Sequence, residues 1–392
     1  MRILFIHNKY KQYGGEDVAL ELESSVLLKK GHEVKTLFFD NKQIIGFFSK
    51  IEAAFRAVYS FSSARKTSNT ILQFKPDIIH IHNLFFIASP SIIYAARKHK
   101  VPVVFTLNNY RLICANALLM RNNDVCELCI HKKFPLHGIK YKCYGGSSSE
   151  SALVTIITGF HKLISTWKNK VSAFIALNEF SRSKLLNSSL KIPAAKMIAK
   201  SNFVRDPGEG NKIREDFFLF VGRVVKEKGV HVLAKAFAAM PDNKIIIIGD
   251  GPEKNSLQEK FKSYKNISFS GQMERQLVKD YMKQCKALIC PSIWYEGTPL
   301  TIIEAFAAGT PVIASRLGSM AETVSDGFNG LLFIAGDADD LCKKVDIFIK
   351  ESRNSAIFNE NARQTYLEKY HEDVHYSAIL KIYENAIAQN ND

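Results

Sequence analysis

The chain alternates short apolar runs with amphipathic stretches, and it does so twice. In the first half, Arg2–His7, Glu33–Phe39, Asp77–His82, Val101–Leu107 and Ala173–Asn178 have the length and β-branched content of strands. Between them, helical spacing predicts helices from the Gly14-Gly15 turn to Lys30, over Pro90–His99, over about 150–170, and from Glu179 onward. The second half repeats the rhythm with Phe217–Gly222, Lys244–Gly249, Ile267–Phe269, Ala287–Cys290 and Pro311–Ala314, each followed by a helical pattern. Alternating strands and helices build a parallel sheet covered on both faces. The expected class is therefore α/β, with two Rossmann-like doubly wound domains facing one another across a cleft. Asp206-Pro207-Gly208-Glu209-Gly210-Asn211 reads as the linker. The expected boundaries are 1–205, carrying an irregular Cys-rich insertion at about 110–149, then 206–370, then a helix over 371–392 that packs back on the first domain.

Doubly wound sheets bind ligands at the carboxyl ends of their strands. The densest chemistry there is Pro291-Ser292-Ile293-Trp294-Tyr295-Glu296-Gly297-Thr298-Pro299-Leu300-Thr301-Ile302-Ile303-Glu304-Ala305. Glu296 and Glu304 flank a turn, Gly297-Thr298-Pro299, that opens a helix beginning near Leu300 and Thr301. Such a helix N-terminus offers unpaired amides and a positive dipole end to a phosphate, and Pro299 suits the first helical turn. Glu304, a turn deeper, could grip a ribose diol, and Glu296, in the loop, could contact a sugar. An ordinary surface loop followed by a helix gives the same pattern.

This segment resembles the Glu-x7-Glu signature of the retaining glycosyltransferases of family four, whose fold is the two-domain GT-B architecture. Phe220-Val221-Gly222-Arg223 and Lys226-Glu227-Lys228-Gly229 resemble that family's Gly-Arg and Lys-Gly elements. Gly249-Asp250-Gly251-Pro252 is similar to its Gly-x-Gly-Pro turn, Gly271 falls at its base-contacting loop, and Gly309–Ala314 with Gly318-Ser319 continue the pattern. Gly14-Gly15 matches the turn that approaches the donor phosphates from the N-terminal, acceptor-side domain. The resemblance implies that Glu296 contacts the donor sugar, Glu304 the ribose, and Arg223 and Lys228 the pyrophosphate. The implied substrate is a UDP- or GDP-linked sugar.

Fixed positive charge from Arg223, Lys228 and a helix end can stabilise a leaving diphosphate without a metal. The Asp-x-Asp at Asp337-Ala338-Asp339 follows Gly336 at the start of a helix, where capping is the expected role. Catalysis is thus expected to need no catalytic metal. One departure from the family stands out. After Val103–Leu107 many relatives carry a His, and this chain has Asn108, which can hydrogen-bond a sugar hydroxyl but carries no proton at neutral pH. His80 and His82 lie at a neighbouring strand end and read as structural.

The 392 residues suffice for two domains, and no apolar run is long enough to span a bilayer. The opening Met1–Ile6 reads as a strand rather than a signal peptide, which points to the cytoplasm. The net charge of +15 is uneven: residues 1–205 hold 30 Lys and Arg against 12 Asp and Glu. That excess suits an anionic membrane face or a polyprenyl-linked acceptor; no nucleic-acid motif accompanies it. Two stripes bear on a membrane role. Ile44, Phe48, Ile51, Phe55 and Val58, with Phe47, Tyr59 and Phe61, suit either core or lipid, whereas Ile156, Phe160, Ile164 and Trp167 are expected in the core. Four of the seven cysteines, Cys114, Cys126, Cys129 and Cys143, fall in the insertion with one Cys-x2-Cys spacing. They are either a structural Zn²⁺ site or four buried thiols.

The expectation is a retaining transferase that moves sugar from a nucleoside diphosphate to a glycan acceptor, lipid-linked, in cell-surface polysaccharide synthesis, peripheral at the inner membrane face. A catalytically silent homologue acting as a binding partner, a same-fold sugar-nucleotide epimerase and a basic nucleic-acid module are the rival readings.

Overall fold

Each apolar run of the first half becomes a strand of one parallel sheet in the computed structural model, which describes residues 1–9, 14–40, 58–210, 214–351 and 355–391. These strands are β1 (Arg2–Lys9), β2 (Glu33–Asp40), β3 (Ile78–Asn83), β4 (Val103–Leu107) and β7 (Ala173–Ala176), completed by β8 (Met197–Ala199). A small hairpin, β5 (Met120–Arg121) and β6 (Asp124–Val125), lies between β4 and β7 in the chain. The spatial order is β2-β1-β3-β4-β7-β8. The three-residue β8 went unread because only Met197 in it is fully buried.

The second sheet has the order β11-β10-β9-β12-β13-β14. Its strands are β9 (Phe218–Val221), β10 (Ile245–Ile248), β11 (Ile267–Gly271), β12 (Leu288–Cys290), β13 (Val312–Ser315) and β14 (Gly330–Phe333). The pattern showed five of these and omitted β14. In both sheets the chain winds outward on one side and then returns to the centre to wind the other way. The switch falls between β1 and β3 in the first sheet and between β9 and β12 in the second, which is where doubly wound sheets open a crevice.

The chain divides into two compact units. One comprises Met1–Leu119, Cys126–Ser201 and His375–Asp392; the other comprises Met120–Val125 and Asn202–Val374. In the first, Ile3, Phe5, Ile78, Val104 and Ile175 pack with Leu27 of the helix Gly15–Lys29 and with Ile379, Tyr383 and Ala386 of the helix Glu372–Asn391. In the second, Leu219, Ile246, Leu288 and Val312 pack against Ile302, Ile303 and Phe306 of the helix Leu300–Ala307 and against Tyr366.

The stripe expected in the core at 156–167 is corrected. The helix over 150–170 is two helices, Ser148–Leu163 and Thr166–Lys170, broken at Ser165, whose φ is 56°. Trp167 is buried, but Ile156, Phe160, Leu163 and Ile164 are 51%, 39%, 56% and 44% exposed. The buried face of the first helix instead mixes Val154 and Ile157 with small and polar residues. Thr155 donates to Pro135 O, Thr158 donates to Val154 O, and the His161 ring bridges the Thr166 hydroxyl at 2.9 Å and Val58 O at 2.9 Å. Gly159 gives up its side-chain space to the Phe134 ring. Hydrogen bonding pays for that burial, so hydrophobicity points to the wrong face. Of the earlier stripe, Ile44, Phe47, Phe48, Ile51 and Phe55 lie outside the described residues, while Phe61 is 81% exposed. Among the described residues no helix is long and apolar enough to cross a membrane.

Candidate active site

The chemistry of the second unit gathers where β9, β10 and β12 end. Gly229 has φ +67°, and a side chain there would stand 1.9 Å from the Pro291 carbonyl oxygen. Only glycine permits this approach, and it sets Lys228 beside the segment that follows β12. Gly249 does the same for the neighbouring turn: with φ +141°, its missing side chain would meet Gly222 O at 1.8 Å. Gly222, Gly251 and Gly271 are thereby part of one tight cluster of strand ends, with Gly249 N donating to Gly271 O at 2.8 Å.

Glu296 is 5% exposed, and its Oε1 accepts three hydrogen bonds: from Lys228 Nζ at 2.6 Å, Ser292 Oγ at 2.6 Å and Trp294 Nε1 at 3.0 Å. Its carbonyl oxygen accepts from Ser319 Oγ at 2.9 Å. Burial works to lower the Lys228 pKa, but the Glu296 carboxylate beside it outweighs that, and the ammonium is held above its usual value. Pro299 is the N-cap rather than a residue of the first turn, and the helix Leu300–Ala307 starts without a side-chain cap. Thr301 and Glu304 lie on this helix, one turn apart. Burial raises the Glu304 carboxyl, and Arg275 and Lys279 offset this only in part. Arg275 Nη2 stands 3.9 Å from Glu304 Oε1. Arg223 is 66% exposed in its side chain and lies 3.7 Å from Glu227, not against Glu296.

Sequence reading missed Ser292, Trp294 and Ser319 as the brace of Glu296, and Arg275 as the partner of Glu304. The brace residues were in view within the motif and beside Gly318; only Arg275, on a separate helix, left no signal. Asp337 caps its helix, its Oδ1 accepting from the amides of Asp339 and Asp340 at 2.9 and 3.0 Å.

In the first unit, Gly14 is the N-cap of the helix Gly15–Lys29, and its amide donates to Asp17 Oδ2 at 2.9 Å. Asp17 Oδ1 also lies 3.0 Å from His7 Nε2. Asn108 donates through Nδ2 to His82 O at 3.1 Å, and Asn109 through Nδ2 to Glu16 Oε1 at 2.8 Å. His82, Thr106, Asn108, Asn109 and Arg111 line a small recess of about 20 Å³ at the ends of β3 and β4.

Beneath that recess lies a buried ionic network. Glu23 is 3% exposed; Oε1 lies 2.9 Å from His80 Nδ1, and Oε2 lies 3.0 Å from His375 Nε2 and 3.5 Å from Lys200 Nζ. Burial would raise the Glu23 carboxyl, but Lys200 and His80 hold it well below the usual range. His82 and His375 are both pushed down to about 4, chiefly by burial, with His80 and Lys200 respectively adding repulsion. Among the described residues, Glu23, His80 and His82 are the one set of three whose candidate ligand atoms lie within 4.8 Å of one another.

No three of the insertion's four cysteines have sulfurs at that spacing. Burial, then the charges of Cys114, Cys143 and Cys126, push the Cys129 thiol up to about 11. Cys114 and Cys129 are buried, and none of the seven cysteines is in a disulfide.

Residues 206–365 match the family described as Glycosyl transferases group 1. An uncharacterized 42.6 kDa protein in the cps region of Klebsiella pneumoniae is 24% identical over 94% of this chain and 100% of its own length. An alpha-monoglucosyldiacylglycerol synthase of Streptococcus pneumoniae is 25% identical over 100% of this chain and 87% of its own. Among solved structures, Anabaena HepE in complex with UDP and glucose superposes with a TM-score of 0.67 at 16% identity, covering 97% of this chain and 98% of that one. The fold is GT-B. The findings support a glycosyltransferase of the GT-B, group 1 type, in line with the resemblance to family four, and the group 1 match itself covers residues 206–365.

Proposed function

We propose that the protein is a retaining transferase that moves a sugar from a nucleoside diphosphate to a glycan acceptor. The Lys228–Glu296 contact at the end of β12 carries the reading. A buried carboxylate braced by three donors is a fixed hydrogen-bond acceptor for sugar hydroxyls, and an ammonium held charged beside it is a fixed counter-charge for a leaving diphosphate. Glu304, a turn into the helix, suits a ribose diol, and the uncapped amides before it suit the phosphates. In the reaction the bond from the anomeric carbon to the phosphate oxygen breaks, and the acceptor oxygen bonds to the same face. The acceptor proton passes to the departing phosphate oxygen, so no catalytic metal enters the scheme. The use of Asp337 as a helix cap supports this, and HepE was solved with UDP and glucose.

The acceptor is lipid-linked in this reading, and the pathway is a cell-surface polysaccharide. A cps-region relative supports the pathway. The basic residues 1–205 and the exposed Ile156, Phe160, Leu163 and Ile164 support attachment at the inner face of the membrane. Calorimetric titration with a panel of UDP- and GDP-sugars tests the donor. One member should bind with micromolar affinity to the wild type and measurably less tightly to Glu304→Ala; equal binding to both would remove Glu304 from the site.

A further inference from the structure

His82 is one residue too many for its strand. β1 and β3 pair Ile6 with Ile81 and then His7 with Asn83, so His82 has no partner on β1 and bulges from the ladder. The pairing of β3 with β4 ends at Ile81. A bulge re-aims the side chain it carries, and this one stands at the carboxyl end of β3, at the switch between β1 and β3. Packing then fixes the ring: its centroid lies 5.4 Å from that of Phe5 and 4.4 Å from that of His80.

The ring is held, yet its polar atoms are idle. His82 is 4% exposed, and among the described residues neither its Nδ1 nor its Nε2 has a hydrogen-bond partner. Glu23 Oε1, 3.6 Å from Nε2, is beyond hydrogen-bond reach. His80, on the same strand, shows the contrast: its Nδ1 lies 2.7 Å from the Tyr383 hydroxyl and its Nε2 lies 2.7 Å from Thr106 Oγ1. A histidine kept only for packing would be matched as His80 is, because an unpaired buried nitrogen is destabilising.

The adjoining recess limits what can pair with it. His82, Thr106 and Asn108 share its lining, and Asn108 Nδ2 donates to His82 O at 3.1 Å, which leaves Asn108 Oδ1 to accept. About 20 Å³ admits one water-sized group and no sugar ring. Burial, with repulsion from His80, pushes His82 down to about 4, so the ring is neutral at pH 7 and carries one donor and one acceptor. The Glu23 carboxylate favours the proton on Nε2, which leaves the Nδ1 lone pair for an incoming proton. Two neutral acceptors side by side suit a hydroxyl and give a phosphate oxygen no donor.

We propose that the recess at the β1–β3 switch receives one hydroxyl group of a sugar, with His82 Nδ1 accepting its hydrogen bond and Asn108 beside it. This rests on the transferase reading above, and it makes His82 a substrate-binding residue that selects for a hydroxyl at one ring position. The hydroxyl belongs either to the transferred sugar or to the acceptor glycan, which present the same chemistry. A site built to hydrogen-bond a hydroxyl rejects the deoxy analogue, because its buried nitrogen is then left unpaired.

The test is ¹⁵N NMR of the histidine rings in the full chain, with turnover of His82 variants beside it. The probes are free UDP and GDP, the UDP- or GDP-sugar that binds in calorimetry, and methyl glycosides added together with the free nucleotide. The His82 signals, assigned by their loss in His82→Gln, should stay in place with free nucleotide. A shift with the nucleotide sugar assigns the hydroxyl to the transferred sugar; a shift only with a methyl glycoside assigns it to the acceptor. The analogue lacking that hydroxyl should not reproduce the shift. His82→Leu should lower turnover roughly a hundredfold with unchanged affinity for the free nucleotide, and His82→Gln, which keeps a neutral acceptor, should recover much of it. If His82→Leu does not fold, the wild-type spectra decide alone. His82 signals that no sugar moves, in protein that binds the nucleotide sugar, overturn this inference and leave the transferase reading standing. So does a folded His82→Leu with wild-type turnover. A wild type that binds no nucleotide sugar overturns both.

Discussion

Lys228 Nζ and Glu296 Oε1 stand 2.6 Å apart, across two loops that only a glycine at 229 allows to touch. The pair fixes two things with one contact: the carboxylate's rotamer and the charge of the ammonium. Glu296→Gln keeps the shape and loses the ion pair, so turnover should fall more than nucleotide affinity, by roughly two orders of magnitude. Steady-state kinetics beside nucleotide titration measures the split. A variant that loses affinity and keeps kcat would move Glu296 from the sugar to the nucleotide.

Glu304 should behave in the opposite way. Burial raises its pKa, so the folded state disfavours its charged form at neutral pH and regains that stability as the group takes up a proton on acidification. Glu304→Gln should therefore melt at or above the wild-type temperature at pH 7, with the difference vanishing in acid, while nucleotide affinity drops. Thermal scans at several pH values check the sign.

The Glu23 network predicts a different pH response. The depressed Glu23 contributes stability that is present above the ordinary carboxylate range and is lost as pH falls through its folded pKa. His82 and His375, held down to about 4, bind protons more readily when unfolded. Stability should thus begin to fall below about pH 6.5, the ordinary histidine value. Lys200→Met should cost about 3–5 kcal/mol, because it strands a buried carboxylate. Denaturant melts across pH 4–8 test both; a flat profile would contradict the network.

The exposed stripe on the helix Ser148–Leu163 makes Phe160→Asp a surface change, within about 0.5 kcal/mol of wild type in stability. If the stripe meets lipid, the same variant should lose the salt-resistant part of binding to anionic vesicles, since apolar insertion is not screened. Vesicle co-sedimentation at low and high salt reads this directly.

Much of the fold was legible because buried parallel strands hold short apolar runs: β10 and β12 are apolar throughout, and β1, β3 and β4 carry Ile3–Ile6, Ile78-Ile79 and Val103–Phe105. Glu296 and Glu304 were legible because motif residues close in sequence share one turn and one helix. The brace of Glu296 was not, because Ser and Trp side chains carry no periodic signal. Arg275 was not, because it arrives from a separate helix. The helix at 148–163 misled for a related reason: Thr155, Thr158 and His161 are buried by virtue of hydrogen bonds, and hydrogen-bond partners are a tertiary property.

The central claim is that Lys228 and Glu296 form a donor site that transfers sugar with retention. The most direct measurement is the anomeric configuration of the product, followed by NMR from a nucleotide sugar that binds, in wild type and in Lys228→Ala, with and without EDTA. The product should keep the donor's configuration, EDTA should leave the rate unchanged, and Lys228→Ala should be slower by roughly two orders of magnitude or more while remaining folded. An inverted product, or a Lys228→Ala variant with wild-type turnover, would contradict the account.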